Sequence, residues 1–187
     1  MSVSSRVRDR ERIEAMVGRV TLEAFLRNQP SDEHPVCLTA ATFTRLLHRV
    51  EELARFAMPR RVDHVLFATE VDPDLVFLAH RPSLFRGLMI LVENAFDALA
   101  LSRAGRVVVS AKAVFGEVCI TVADSGRGLP EDWQDALRSR AELPGVSGLA
   151  EASSLAHRMG GALRLVSSGR AGTSMAFDLP DGSMGRA

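Results

Sequence analysis

The stretch "LMILVENAFDALALSRAGRVVVSAKAVFGEVCITVADSGRGLP", residues 88–130, contains the features that decide the fold. Apolar residues recur every three or four positions in its first part, which predicts a helix with one buried side. Apolar and polar residues then alternate in two segments around residues 115–117, which predicts two strands joined by a tight turn. The sequence Asp-Ser-Gly-Arg-Gly follows the second strand directly and predicts a turn that carries one carboxylate.

The flanking chain predicts further helices and strands. "FTRLLHRVEELARFAM" has a helical period, begins after a capping threonine at 39 or 42, and ends before Pro59. "VDHVLFATEV" and "FLAH" predict strands, "EDWQDALRSR" a short helix, and "GLAEASSLAHRMGG" a helix that ends at a glycine C-cap. A last hairpin is predicted from "ALRLVSS" to "SMAFDLP". This irregular alternation predicts an α+β fold built as a two-layer sandwich rather than a doubly wound parallel sheet.

Residues 6–27 predict an N-terminal helix with one apolar stripe, followed by the linker "NQPSDEHP". The stripe consists of Ile13, Met16, Val17, Val20 and Ala24. A single helix of this kind is not stable alone, so its apolar side must be covered. Two arrangements fit equally well: the helix docks on its own domain, or it pairs with a helix of a second copy, giving a homodimer, or of a partner.

Composition excludes several classes of function. The chain of 187 residues carries 23 basic and 23 acidic side chains, so no overall field favours nucleic acid or an anionic membrane. Cys37 and Cys119 are far apart and predict neither a disulfide framework nor a zinc site. No apolar run approaches the roughly 18 residues of a membrane span, and the charged N-terminus is unlike a signal peptide. We therefore expect a cytoplasmic protein with no membrane segment in this chain.

Three places carry side chains or backbone suited to chemistry. Asn94 and Asp97 share one flank of the predicted long helix, where a carboxamide oxygen can coordinate Mg²⁺, although a surface asparagine would look the same. Asp124 ends a strand and can accept a hydrogen bond from an exocyclic amine such as that of adenine. Gly126 and Gly128 allow the backbone to turn tightly beside a planar base, or form an ordinary hairpin exit.

The third place is the glycine-led helix near residue 148. Backbone N–H groups at the start of a helix bind phosphate oxygens, and Gly145 and Gly148 are placed to expose them. Thr173 begins the last strand, where its hydroxyl reaches a base or satisfies the turn.

The order of these motifs, rather than any one of them, is specific. Together they resemble the ATP-binding fold of the GHKL superfamily, which includes sensor histidine kinases, gyrase and mismatch-repair ATPases, over residues 39–180. The C-terminal stretch from "GLAEASSLAHRMGG" to "AGTSMAFDLP" is most similar to the catalytic domain of histidine kinases. The resemblance implies a Bergerat-type α+β fold with a mixed sheet and helices on one face.

The resemblance also implies cofactors, site residues and a domain division. ATP and Mg²⁺ are the implied cofactors, with Asn94 holding the metal and residues 129–147 forming a mobile lid. The implied nucleotide-binding residues are Asn94, Asp97, Asp124, Gly126, Gly128, Gly145, Gly148 and Thr173. Residues 1–36 resemble the remnant of a kinase dimerisation hairpin with its linker, residues 37–181 the ATP-binding domain, and residues 182–187 a tail.

Several positions depart from the family pattern. Ile90 stands where hydrolytic members have the glutamate that activates water, so a general base for hydrolysis is absent. Asp97 stands where histidine kinases often have a lysine. Pro144 and Val146 replace glycines of the second glycine box, and the lid lacks an aromatic box unless Trp133 substitutes for it. No phospho-accepting histidine helix is recognisable, and His34, His48, His64, His80 and His157 receive no role.

We therefore expect the catalytic domain of a histidine kinase that transfers the γ-phosphate of Mg-ATP to a histidine on a partner helix. The expected partners are a histidine-containing helix or a full-length kinase, and a response regulator. Two alternatives remain: a kinase-like module that docks a response regulator or kinase without using ATP, and an anti-sigma-type serine kinase. An ATP hydrolase is the least favoured function, because Ile90 replaces the glutamate that would activate water.

Overall fold

The computed structural model describes residues 34–58, 62–139 and 148–182. This part of the chain contains seven strands: β1 (Val36–Thr39), β2 (Val65–Val71), β3 (Val76–Ala79), β4 (Gly105–Val114), β5 (Glu117–Asp124), β6 (Ala162–Gly169) and β7 (Gly172–Pro180). It also contains four helices: α1 (Ala40–Ala57), α2 (Arg81–Leu99), α3 (Glu131–Ser139) and α4 (Gly148–Arg158). The N-terminal helix predicted for residues 6–27 lies outside the described residues.

The main sheet has five strands in the order β2-β4-β5-β7-β6. β2 runs parallel to β4, and the other neighbours are antiparallel, so the sheet is mixed. Strands β1 and β3 form a separate antiparallel pair. The α+β fold with a mixed sheet that the sequence predicts is confirmed.

Helix α2 is the central element because it packs against both the sheet and α4. His80 caps its N-terminus by accepting a hydrogen bond from the backbone N–H of Ser83, and Pro82 lies in the first turn. Large apolar side chains of α2, among them Leu84, Leu88 and Phe96, are fully buried. Burial of each such side chain contributes roughly 1.5–3 kcal/mol, so α2 supplies much of the core's stability.

Local signals set the ends of the other predicted elements. Thr39 caps α1 in a reciprocal arrangement with Thr42, as the sequence predicts. The β4–β5 hairpin turns through Phe115 and Gly116, both with positive φ, which is the turn geometry that matches the twist of paired strands. Gly160, with φ of +76°, ends the helical segment that begins at α4.

Strand β1 is the element that sequence reasoning missed. The sequence predicts a linker up to residue 36 and a helix cap at Thr39 or Thr42, and no strand there. Its partner, β3, is about forty residues away in the chain, with Val36 opposite Ala79 and Thr39 opposite Val76. No helix within the described ranges has the length and apolar character needed to cross a membrane.

Candidate functional site

One line of residues on α2 connects the motifs that the sequence predicts to act together. Ile90, Asn94 and Ala98 are four residues apart, so they lie one above the other on the same side of the helix over about 12 Å. A Cβ atom at Gly148 would lie 3.0 Å from Cγ2 of Ile90, and one at Gly126 would lie 2.7 Å from Cβ of Ala98. The start of α4 and the turn after β5 therefore lie at opposite ends of this line, with Asn94 between them.

The middle of the line is open to solvent. Asn94 and Asp97 are both exposed, and they lie three residues apart on neighbouring turns of α2. Ile90, one turn before Asn94, is only 4% exposed. The carboxamide of Asn94 thus lies on the exposed flank of α2, whose other side is buried. The resemblance to the family implies a glutamate in its hydrolytic members at the position of Ile90, and here that position holds a buried apolar side chain.

Asp124 is the most constrained polar residue of the site. Its Oδ1 accepts hydrogen bonds from the backbone N–H groups of Gly126, at 2.7 Å, and Thr173, at 3.3 Å. Burial raises the pKa of the Asp124 carboxyl above its ordinary value, and the two backbone donors oppose that rise. Because both bonds fall on Oδ1, the second oxygen, Oδ2, is the one that a ligand's donor would meet.

The backbone around Asp124 leaves no room for larger residues. Gly126 is buried against Ala98 of α2, and Gly128, with φ of +78°, lies against the backbone of Gly169. Gly172 has φ of +118°, and a side chain there would collide with the carbonyl oxygen of Asp124. Three glycines from two turns therefore let β5, the turn that follows it and the β6–β7 hairpin approach one another closely.

Thr173 is buried at the start of β7, 7% exposed, as the only described buried polar residue besides Ser83. Its hydroxyl lies 3.3 Å from Oγ of Ser168, which accepts a hydrogen bond from the N–H of Leu129 at 2.7 Å. Ser168 was not predicted, since a serine in the segment "RLVSSGR" carries no signal of its own. It links the predicted base-side residues to the first residue of the predicted lid.

The start of α4 is held on α2 by side chains. Arg86 donates from Nε and Nη2 to the two carboxylate oxygens of Glu151, at 2.8 and 3.0 Å. The hydrogen bond and charge of Arg86 lower the pKa of the Glu151 carboxyl, more than burial raises it. This bidentate pair lies one turn from the contact between Gly148 and Ile90, so it fixes where α4 begins relative to Asn94.

The predicted lid is described only in part. Helix α3 occupies its first half and packs on β6, with Trp133 and Leu137 partly buried against the core. Gln134 donates from Nε2 to the carbonyl of Leu129 at 2.8 Å, which ties α3 to the preceding turn. Gly145 and the neighbouring positions 144 and 146 lie outside the described residues.

Three of the five histidines have structural partners. His80 caps α2, Nε2 of His64 lies 3.2 Å from the carbonyl oxygen of Leu99, and Nδ1 of His157 lies 2.8 Å from that of Ser153. His48 is exposed on α1. Within the described ranges, no cluster of three or more His, Cys, Asp or Glu side chains is arranged to hold a metal ion.

Comparisons with known proteins identify the family of the chain. Residues 79–183, more than half of the chain, match the family described as histidine kinase-, DNA gyrase B-, and HSP90-like ATPase. No curated protein sequence gives a significant match.

Solved structures of histidine kinases share the fold. The nucleotide-free catalytic domain of histidine kinase ThkA has 21% identity and a TM-score of 0.62, covering 79% of this chain and 95% of that one. The mycobacterial sensor histidine kinase MprB has 25% identity and a TM-score of 0.60, with 79% and 97% covered. The ATP-binding domain of PrrB from Mycobacterium tuberculosis has 22% identity and a TM-score of 0.62, with 80% and 99% covered. The chain therefore belongs to the histidine kinase-, DNA gyrase B- and HSP90-like ATPase family, as its motifs predict.

Proposed function

We propose that this domain binds Mg-ATP along the exposed flank of α2 and presents the γ-phosphate to a histidine on a partner helix in two-component signalling. The observation that carries the proposal is the line Ile90–Asn94–Ala98. One end of this line contacts the glycine that begins α4, and the other contacts the turn that carries Asp124. A nucleotide whose base lies at Asp124 and whose phosphates lie at α4 would pass Asn94.

The base end suits an adenine amine. Oδ2 of Asp124 faces no donor among the described residues, and Oδ1 is held in place by the N–H groups of Gly126 and Thr173. A hydrogen bond to a charged acceptor contributes about 1.5–3 kcal/mol. Gly126, Gly128 and buried Thr173 would form the walls of the base pocket, because none of them extends a bulky side chain into the space.

The phosphate end suits an anion. Helix α4 begins at exposed Gly148, so the partial positive charge of its N-terminus is accessible to phosphate oxygens. Asn94 would hold the metal through its carboxamide oxygen, and Asp97 would hold it or an ordered water beside it. Mg²⁺ would supply neutralisation of the phosphate charge in transfer. Gly145 belongs to the same proposal, although it lies outside the described residues.

The chain's own residues contribute orientation rather than acid–base chemistry. Hydrolytic relatives activate water with a glutamate at the position that Ile90 occupies here. Ile90 is apolar and buried, so this position supplies no carboxylate. Transfer to an oriented acceptor, rather than to water, is the chemistry that such a site favours. The acceptor histidine would come from a partner helix or a full-length kinase, and a response regulator would take the phosphoryl group next.

A nucleotide-independent docking module is the second candidate. It is favoured by Asp97, which adds negative charge where a phosphate-neutralising lysine is common in histidine kinases. The domain division at residues 36 and 181, the homodimer through residues 6–27 and the cytoplasmic location remain part of the first proposal.

Transfer of radiolabelled phosphate tests the two candidates. The domain is incubated with γ-labelled ATP, Mg²⁺ and a panel of histidine-containing dimerisation helices, and the label is tested for the acid lability of a phosphohistidine. The kinase proposal predicts acid-labile label on at least one helix, and none with Asp124→Asn. Nucleotide binding without transfer to any helix would reject histidine transfer while leaving the nucleotide site standing.

A further inference from the structure

A row of hydrogen bonds connects the base end of the proposed site to helix α3. It begins at Asp124, whose Oδ1 accepts from the backbone N–H of Thr173 at 3.3 Å. The hydroxyl oxygen of Thr173 lies 3.3 Å from Oγ of Ser168, which accepts from the N–H of Leu129 at 2.7 Å. The carbonyl oxygen of Leu129 in turn accepts from Nε2 of Gln134, on α3, at 2.8 Å. Ser168 is therefore the side chain through which the base end reaches α3.

The backbone fixes where the hydroxyl of Ser168 lies. Ser168 and Thr173 are directly opposite each other on β6 and β7, so their side chains share one face of the sheet. The backbone of Gly128 packs against that of Gly169, the residue after Ser168. This close approach brings the N–H of Leu129 within reach of Ser168, so the contact between the two turns depends on backbone geometry on both sides.

Helix α3 depends on its start for its position. All nine of its residues are described and none is buried, although Trp133 and Leu137 are partly buried against the core. Helices this short are marginal alone, and segments with few buried contacts open most readily. Only Pro130, whose ring restricts the backbone, separates Leu129 from the first residue of α3. A change in the hydrogen bond of Leu129 is therefore passed on to α3.

The hydroxyls of Ser168 and Thr173 have two possible arrangements. A serine hydroxyl has one proton and two acceptor lone pairs, and the N–H of Leu129 uses one lone pair of Ser168. Either Ser168 donates its proton to Thr173, or Thr173 donates to Ser168. Only the first arrangement gives a row in which every donor points the same way, and hydrogen bonds in such a row strengthen one another. It also leaves the proton of Thr173 available to a ligand.

We propose that Ser168 is a positioning residue that makes the placement of α3 depend on whether a base lies beside Asp124. A ring nitrogen of the base would accept the proton of Thr173, so Ser168 would donate to Thr173 and hold the N–H of Leu129 more tightly. Nucleotide binding would thereby tighten the start of α3, although Ser168 does not itself contact the nucleotide. This proposal rests on the proposed nucleotide site and adds the route by which occupation of its base end reaches α3.

Amide hydrogen exchange at Leu129, followed by NMR on the full chain, measures the central hydrogen bond. Mg-ATP should slow exchange of this N–H about fivefold in the wild type. In Ser168→Ala the exchange should be roughly tenfold faster without nucleotide, because the acceptor is lost, and Mg-ATP should not change it. Coupling between two sites is reciprocal, so the variant should also bind ATP about fivefold more weakly in calorimetric titration.

Trp133 gives a second readout, one that a merely structural role of Ser168 would leave unchanged. It is the only tryptophan of the chain and lies partly buried on α3, so its fluorescence reports the placement of that helix. Saturating Mg-ATP should change the fluorescence of the wild type but not that of Ser168→Ala. Ser168→Thr keeps the hydroxyl and suits a strand, so it should restore both the fluorescence change and the ATP affinity.

Ser167→Ala is the matched control, because Ser167 is the exposed neighbour of Ser168 on β6. It should match the wild type in Leu129 exchange, Trp133 fluorescence and ATP affinity. Ser168 is only half-buried, so all three variants should remain folded, which melting curves check.

The outcomes separate this proposal from the proposed function. ATP binding to the wild type with no change at Leu129 or Trp133 would overturn the role of Ser168 and leave the nucleotide site standing. An equal fluorescence change in the wild type and Ser168→Ala at saturating Mg-ATP would overturn that role as well. No ATP binding to the wild type would overturn the nucleotide site and this proposal together.

Discussion

The two ends of the line Ile90–Asn94–Ala98 are built differently. At the Asp124 end, backbone meets backbone: glycines let two turns and α2 approach so closely that no Cβ fits. At the α4 end, a glycine meets the side chain of Ile90, and a solvent-accessible ion pair holds the two helices together. We infer that the Asp124 end tolerates almost no substitution, whereas the α4 end can adjust.

Gly172→Ala should have the largest effect. The substitution combines a left-handed φ with a collision against the carbonyl oxygen of Asp124, so we expect a loss of about 3 kcal/mol or more of unfolding free energy. Chemical denaturation measures the loss. Gly169→Ala, in the same hairpin but with no atom near its Cβ position, is the matched control and should change the free energy by less than about 0.5 kcal/mol. Equal stability of the two variants would contradict the close backbone packing described at the Asp124 end.

Asp124→Asn should separate binding from stability. Losing the carboxylate should weaken ATP binding by about 1.5–3 kcal/mol, or roughly tenfold to a hundredfold, in calorimetric titration. Because the pKa of Asp124 is raised in the folded state, its ionisation opposes folding above that pKa, and this cost disappears as the pH falls below the unfolded pKa. At neutral pH the amide avoids the cost, so the melting temperature should stay constant or rise.

Asp178→Asn is the control, because the pKa of Asp178 is lowered whereas that of Asp124 is raised. Its hydrogen bond from Arg164 lowers the pKa of Asp178, so its ionised form stabilises the fold above the unfolded pKa, and that contribution is lost as the pH falls through the lowered pKa. The variant should melt slightly earlier at neutral pH and bind ATP normally. A fall in stability of Asp124→Asn that matches that of Asp178→Asn would contradict the burial assigned to Asp124.

The same substitution at both ends gives the sharpest structural comparison. Gly126→Ala would place a Cβ within 2.9 Å of the backbone oxygen of Ala98, so we expect a loss of about 1–3 kcal/mol. Gly148→Ala would meet only a methyl group of Ile90, and alanine is favoured over glycine in a helix, so its effect should be within about 0.5 kcal/mol. Thermal melting distinguishes them, and a larger loss at Gly148 would reverse the assignment of rigid and adjustable ends.

Glu151→Gln should have the smallest effect. Its pair with Arg86 is partly exposed, so we expect a loss of about 0.2–1 kcal/mol that shrinks with added salt. The pKa of Glu151 is lowered, so the pair's contribution is present above the unfolded pKa and is lost as the pH falls through the lowered value. A double-mutant cycle with Arg86→Gln measures the coupling energy between the two side chains. A coupling energy that persists in high salt would show that the ion pair holds α2 and α4 together more strongly than we infer.

Local patterns were sufficient to predict most elements. The period of α2, the alternation in β4 and β5, and the capping signals at Thr39 and Gly160 each lie within a few residues, so the sequence displays them directly. The family resemblance was confirmed because it rests on the order of several such motifs.

Features that depend on distant partners were not predictable in the same way. β1 is too short to display a pattern, and only its pairing with β3 makes it a strand. Ser168 gains its role from contacts with Leu129 and Thr173, which lie on other turns.

The claim that Asn94 lies between base and phosphates is tested most directly by calorimetric titration of ATP into the wild type and Asn94→Ala, with and without Mg²⁺. Asn94 is exposed, so the variant should fold and melt as the wild type does. The account predicts that Mg²⁺ strengthens ATP binding in the wild type and that this gain, but not the magnesium-free affinity, is lost in the variant. An unchanged gain from Mg²⁺ in Asn94→Ala would contradict the account.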